Sequence, residues 1–419
     1  MVNNRNITTY FFVIVFIFFS FYGRTIGHHN TINRISPSDY FGFLAIAFSV
    51  ILPVSIKVPK PFIYAFFLLF TYSFGLIATN NLTSTIMELL IFLYLILISL
   101  MVYNSFNSKR GLLTLIHLIA IVGIVSSSIG IYDFTASLYG LPRIFPAPDS
   151  RLMIVVSGFR NGGQAGIYFL TLLSILIPSV YTQKKYPNFK LKRVLVLVSI
   201  CLLTIALFLT VKVVAYIGFA LAIFLLILLR GRIKLFIFSI CLVFVILIAS
   251  PILINIFPSF YNRLKYKIEQ RIIYNLDANA NDGKETAGLK FVRKNYGGAL
   301  TVFKNNFFYG SGIGGFHGTY NKHEVHSTYF KIIGETGMFG IVGFIPFIIC
   351  FIRLSTVYKV KSNEYSTFIY YFAPFALSFL VVWIYNYPIR KREFWILFAL
   401  LCIVQNLNRT ENKRRILII

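Results

Sequence analysis

Apolar runs of about 17 to 25 residues recur along almost the whole chain, and a helix of that length crosses the roughly 30 Å hydrocarbon core of a bilayer. No motif constrains the fold as strongly. Twelve segments read as spans: 8–23, 40–56, 61–79, 83–104, 111–134, 162–181, 193–211, 213–229, 235–257, 328–352, 366–386 and 393–408. Composition agrees. The chain is 57% hydrophobic and 13% charged, with a mean hydropathy of +0.76, against about a quarter charged in a soluble domain. The expected fold class is all-α, a polytopic transmembrane helical bundle of about 12 spans, with a large, partly helical extracytoplasmic loop between spans nine and ten. The first segment, TTYFFVIVFIFFSFYG, has only Arg5 ahead of it and no small-residue cleavage site behind it. It reads as a retained helix rather than a signal peptide.

The net charge of +27 invites a nucleic-acid reading, but its placement argues against one. With both ends cytoplasmic, half of the 40 basic residues fall on the inner side, among them Lys57, Lys109, Arg110, Lys184, Lys185, Arg353 and the tail Arg409, Lys413, Arg414 and Arg415. An excess of lysine and arginine on one face orients a membrane protein. The lipid bilayer is therefore the partner this charge serves, and no nucleic acid is expected. Cys201, Cys241, Cys350 and Cys402 each fall within a span and lack CxxC spacing; they read as small core residues and imply no metal. The chain divides into N-terminal transmembrane helices (1–134), an extracytoplasmic loop (135–161), central transmembrane helices (162–257), a large extracytoplasmic loop (258–327), and C-terminal helices with a basic cytoplasmic tail (328–419).

Residues 193–229 form one long apolar run whose only internal charge is Lys212. As a single helix it would measure about 55 Å, nearly twice the hydrocarbon thickness. It would also leave a lysine at mid-bilayer, at a cost of about 2.5 kcal/mol or more. A hairpin with Lys212 at its outer turn removes both difficulties, whether Lys212 merely snorkels there or serves a ligand. The outer segments 135–161 and 258–327 are long enough to carry chemistry. The first holds Arg143, Arg151 and Arg160, and the second holds ten basic residues against five acids. Within the second, LKFVRKNYGGALTVFKNNFF sets Leu289, Val292, Tyr296, Ala299, Leu300 and Phe303 at helical spacing. An amphipathic helix with a basic face is expected there, lying on the membrane surface.

Unusual residues gather in FFYGSGIGGFHGTYNKHEVHSTYFKIIGETGMFG, residues 307–340. Gly310, Gly312, Gly314, Gly315 and Gly318 permit turns and close backbone approach. Ser327 and Thr328 are caps for the tenth span, which sets His326 at its outer lip, where free amides and the positive dipole end favour an anion. Gly334, Gly337, Gly340 and Gly343 recur every third residue, a spacing that lets transmembrane helices pack closely. An imidazole titrates near neutrality, so His326 is the candidate base toward a sugar hydroxyl. A surface histidine bonded to a loop carbonyl is the plain alternative. His317 and His323 read as solvated loop residues, and their spacing with Glu324 and His326 fits no common zinc pattern. Glu335, nine residues beyond His326, lies on the opposite side of the helix and pairs more readily with Lys331. A planar guanidinium suits bidentate contact with phosphate, which singles out Arg160 before the sixth span and Arg293 on the basic helix. A headgroup anchor is the alternative for each.

Three patches resemble the O-antigen ligase/polymerase superfamily of bacterial polysaccharide polymerases and lipopolysaccharide ligases. RKNYGGALTVFKNNFFYGSGIGGF is similar to its arginine, aromatic and glycine pattern, and HSTYFKIIGETGMFGIVGF to its histidine followed by an E.G..G helix. SGFRNGGQAGIYFLTLL is similar to the entrance of a mid-chain span, and the closing NYPIRKREFWILFALL fits its terminal fW helix. Residues 1–130 match only as hydrophobic spans. The resemblance implies a glycosyltransferase that moves glycan from an undecaprenyl-diphosphate-linked oligosaccharide to a hydroxyl of a glycan acceptor. The reaction would lie on the outer face of the bacterial cytoplasmic (inner) membrane, with no nucleotide sugar, cofactor or metal. It implies His326 as catalytic base and Arg293, Arg160, Lys212 and Arg151 on the diphosphate, with Glu335, Tyr296, Gly312 and Gly314 in support. Lys212 stands where the family has the serine of an SRg stretch, Val213 replaces its arginine, and Gly162 and Gly163 replace a Pro-Asn pair.

A repeat-unit polymerase, with a second lipid-linked glycan as acceptor and a chain-length regulator protein as a further partner, is the first reading of that resemblance. A ligase acting on lipid A-core or on protein is the second. A transporter or flippase would favour charged residues buried at mid-membrane. Glu88 and Asp133 fall near outer helix ends and His117 toward the inner side, so the sequence offers no such site.

Overall fold

The computed structural model describes residues 4–22, 36–51, 56–145, 155, 157–159, 161–230, 262, 265, 296–316, 325–356 and 363–416. Its elements are α1 (Asn4–Phe18), α2 (Pro37–Ile51), α3 (Lys60–Ser73), α4 (Leu82–Phe106), α5 (Lys109–Leu138) and α6 (Gly162–Lys185). They continue with α7 (Arg193–Leu209), α8 (Val213–Arg230), α9 (Gly298–Asn305), α10 (Thr328–Ser355), α11 (Glu364–Val382) and α12 (Arg392–Ile416). No strand occurs among the described residues. Among the described residues, six helices are long and apolar enough to cross a membrane: α3 with its 3-10 extension to Ile77, α4, α5, α6, α10 and α11. Helices α1, α2, α7 and α8 are shorter apolar helices. The ninth expected span, 235–257, and most of loop 258–327 lie outside the described residues.

Helix α12 is the centre. Every residue from Glu393 to Val404 is buried, and a helix apolar on all faces belongs inside a bundle. Helices α4, α5, α6, α10 and α11 pack around it. Trp395 and Phe394 pack with each other, with Phe347 and Phe398 and, from Phe394, with Trp383, at ring separations of 5.5 to 6.4 Å. The buried Trp395 indole donates to the Ile389 carbonyl at 2.7 Å, because a buried donor without a partner is costly.

Helix ends sort into two sets. At one end the Arg392 guanidinium holds both oxygens of Asp39, at 2.7 and 2.5 Å, and Arg390 meets Glu88 at 2.5 Å. At the other end Lys109 pairs with Glu364 at 2.8 Å, the Lys192 amide donates to His117 Nε2 at 2.9 Å, and Asn406 donates to Asn107 at 3.0 Å. Residues read as outer meet at the first end, and residues read as inner meet at the second. Arg390 and Arg392 thus fasten distant helices. A cysteine replacing Tyr139, 76% exposed at the first end, should react with a membrane-impermeant thiol reagent added outside cells, in a background lacking the four native cysteines. One replacing Lys185 should not. Reversed labelling would put the site on the wrong face.

The run 193–229 is indeed two helices, α7 and α8, parted by a turn at Thr210–Lys212 in which Val211 has φ +50°. The tenth span departs from expectation. Helix α10 is not continuous but breaks at Gly337, where φ is 59° and ψ is −152°. Of the cysteines, Cys350 and Cys402 are buried, whereas Cys201 is exposed rather than in the core.

Candidate functional site

His326 is exposed at the start of α10, and its backbone is held on both sides. Upstream, Val325 is buried in a small cluster with Ala299, Val302 and Phe316. Downstream, Ser327 Oγ caps α10 by accepting from the Phe330 amide at 3.4 Å. The Thr328 amide donates to the carbonyls of Trp383 and Asn386 at 2.9 and 3.0 Å, and its hydroxyl donates to Asn386 at 2.6 Å. An exposed histidine thus rests on a fixed frame. Tyr296 joins this frame: its ring stacks on Phe330 at 4.5 Å, and its hydroxyl donates to Ile384 at 3.2 Å.

Helix α9 corrects the expected amphipathic face. Ala299 and Val302 are buried, while Leu300 is 42% exposed. The reason is packing against α10. A Cβ added to Gly334 would lie 2.8 Å from that of Ala299, so the helix turns its smallest residues inward and leaves Leu300 outside.

The break in α10 is filled by the chain just after α9. In an unbroken helix the amides of Met338 and Phe339 would bond to the carbonyls four residues back. Here they donate to Phe307 and Phe308 at 2.8 and 3.2 Å, and the Gly334 carbonyl accepts from Ser311 at 3.1 Å. Two glycines of positive φ, Gly310 and Gly337, meet back to back. A Cβ on Gly337 would sit 2.7 Å from Gly310 N and Phe307 O, and one on Gly310 would sit 2.6 Å from the Glu335 carbonyl carbon. The every-third glycines therefore have different tasks. Gly343 packs on Thr71 of α3, Gly334 packs on α9, and Gly337 makes the break.

Beyond the break, Gly312 and Gly314 sit in a socket formed by Thr79, Ser84, Thr85 and Glu88. The Gly314 amide donates to Glu335 Oε2 at 2.7 Å, and its carbonyl accepts from Ser84 Oγ at 3.0 Å. The fully buried Glu335 also meets Lys331, at 3.4 Å, and the Lys331 ammonium lies 4.9 Å from the centre of the Tyr387 ring. Burial, and then the nearby Tyr72, Glu335 and Glu88, hold the Tyr387 phenol well above the usual tyrosine range.

Lys212 stands apart from this group. Its Nζ would lie 3.2 Å from a Cβ on Gly163, in the first turn of α6, which Asn161 caps by accepting from the Gln164 amide at 3.0 Å. Two departures from the family pattern, Lys212 and Gly163, thus touch each other, and the missing side chain makes room for the ammonium. Both groups lie at the same end of the bundle. Gly218 of α8 packs on Val382 at the end of α11, next to the Trp383 carbonyl that binds Thr328. Arg151, Arg160, Arg293, His317 and His323 lie outside the described residues. Sequence reasoning missed Ser84 and Arg390 as supports. Their partners are hundreds of residues away along the chain, beyond the reach of any local spacing rule.

Residues 195–345 match the family described as O-antigen ligase. That segment includes the α7–α8 hairpin, Arg293, α9, the glycine loop, His326 and the break in α10; it excludes Arg151 and Arg160. No curated protein matches the chain.

Proposed function

We propose that this chain, a member of the O-antigen ligase/polymerase superfamily, is a polysaccharide polymerase. It transfers glycan from an undecaprenyl-diphosphate-linked donor to a hydroxyl of a lipid-linked acceptor at the outer face of the bacterial cytoplasmic membrane. The observation that carries the reading is that one family segment contains Lys212, Arg293, the glycine loop and His326 together. His326 takes the acceptor proton as the hydroxyl oxygen attacks the anomeric carbon. The bond from that carbon to the diphosphate oxygen breaks, and undecaprenyl diphosphate leaves with the electron pair. Arg293, Arg160 and Arg151 neutralise the leaving diphosphate. Lys212 does so from beside the first turn of α6, where a helix N-terminus adds its own attraction for an anion.

The family description names a ligase, so transfer to lipid A-core or to protein is the second reading. The break in α10 does not favour transport. Broken helices in transporters turn freed backbone groups toward a substrate, whereas here the Met338 and Phe339 amides are bonded to loop carbonyls.

The test is purified protein in liposomes given lipid-linked repeat unit alone. A ladder of chain lengths is the expected product; transfer only after lipid core or acceptor protein is added would make the chain a ligase. In the same assay Arg293→Lys keeps the charge but loses the bidentate fork, and the rate should fall about tenfold or more. A normal ladder from Arg293→Ala would reduce Arg293 to a headgroup anchor.

A further inference from the structure

Glu335 takes no part in the transfer chemistry, yet it is completely buried and one of its oxygens is committed to a backbone amide of another segment. We infer that Glu335 is a positioning residue. Its carboxylate locks the glycine loop onto the broken turn of α10 and so fixes the segment that carries His326; the inference rests on His326 being the base. The Gly314 peptide is gripped from both sides, its N–H by Glu335 and its C=O by Ser84 of α4. Two residues later comes Phe316, fully buried in the same small cluster as Val325, the neighbour of His326. Displacement of Gly314 is therefore expected to disturb, through Phe316, the cluster that holds Val325 beside the histidine.

The surrounding charges fit this role. A buried carboxylate is costly unless paired and hydrogen-bonded. The Gly314 amide satisfies one oxygen, and Lys331 faces the other from one turn back. Lys331 is itself enclosed, 3% exposed, against the Tyr387 ring. Glu88, one turn beyond Ser84, is neutralised by Arg390, so the socket around the loop does not repel Glu335. An i,i+4 pair serving only its own helix would leave the Gly314 amide to another acceptor; here the amide is the shorter contact.

Two measurements on the reconstituted protein decide the matter: hydrogen exchange of the peptide containing Gly314, and kcat and KM for the lipid-linked repeat unit. Glu335→Ala should speed exchange of the Gly314 amide about tenfold or more, as expected for loss of a hydrogen bond to a charged acceptor. It should lower kcat about tenfold or more, because small misplacement of a reacting group is expensive, with KM changed less than about twofold. Glu335→Gln keeps a carbonyl oxygen for the amide and should bring exchange and kcat back to within about threefold of wild type. Unchanged exchange in Glu335→Ala overturns the inference, as does a Glu335→Gln protein no better than Glu335→Ala. The exchange arm needs no turnover. A wild-type protein that transfers no glycan would remove the proposed function, while the anchoring by Glu335 would still be decided by exchange.

Discussion

His326→Gln leaves single repeat units where the wild type makes long chains; that is the expected result in membranes supplied with lipid-linked repeat unit and normalised to protein amount. Glutamine is close in size and keeps hydrogen-bonding capacity, but it does not accept the proton of a hydroxyl. A positioned base contributes about 10²- to 10⁴-fold to rate, so growth should nearly cease. Folding should survive, since His326 is exposed at a capped helix start and its frame is built from Val325, Ser327 and Thr328. His323→Gln is the control and should still polymerise. Equal, wild-type polymer from both variants would make His326 structural and sink the mechanism.

Gly337→Ala should act on the fold. At φ 59° and ψ −152° the backbone is in a region open essentially to glycine alone, costing another residue about 1 to 3 kcal/mol. The added Cβ would also meet backbone atoms at 2.7 Å from three consecutive contacts, Gly310 N, Phe307 O and the Phe308 carbonyl carbon. Backbone cannot rotate away as a side chain can. A combined loss above about 3 kcal/mol, large against the stability of most domains, should appear as loss of monodisperse protein on detergent extraction. Gly297→Ala, whose new Cβ would have nothing within 4 Å, should extract like wild type. If Gly337→Ala also extracts normally with full activity, α10 tolerates a healed helix and the interlock with Gly310 is dispensable.

Six of the expected spans were legible because bilayer thickness sets a length that apolar runs reveal directly, and the hairpin at Lys212 followed from the same length with one charge added. The Lys331–Glu335 contact was legible too, since it needs only helical spacing. The break in α10 was not. Glycines at every third position read equally well as a stripe for close packing, and what separates the two is a set of hydrogen bonds from residues 307, 308 and 311. The partners of Arg390 and Arg392 were hidden for a related reason. Charge counting places a residue on a side of the membrane but says nothing of partners such as Asp39, 353 residues away from Arg392. On α9, pattern alone set Leu300 beside Ala299 on the apolar face, whereas Leu300 is exposed and Ala299 packs on Gly334.

Helix α12 follows every other described helix in the chain, yet all of its residues from Glu393 to Val404 are enclosed by helices that precede it. Chains emerge from the ribosome N-terminus first. The helices that precede α12 therefore lack a partner for the faces that enclose it until it is made and Arg392 reaches Asp39. A chain that ends before Arg392 is expected to leave those faces uncovered, and completion of the bundle then depends on the segment made last.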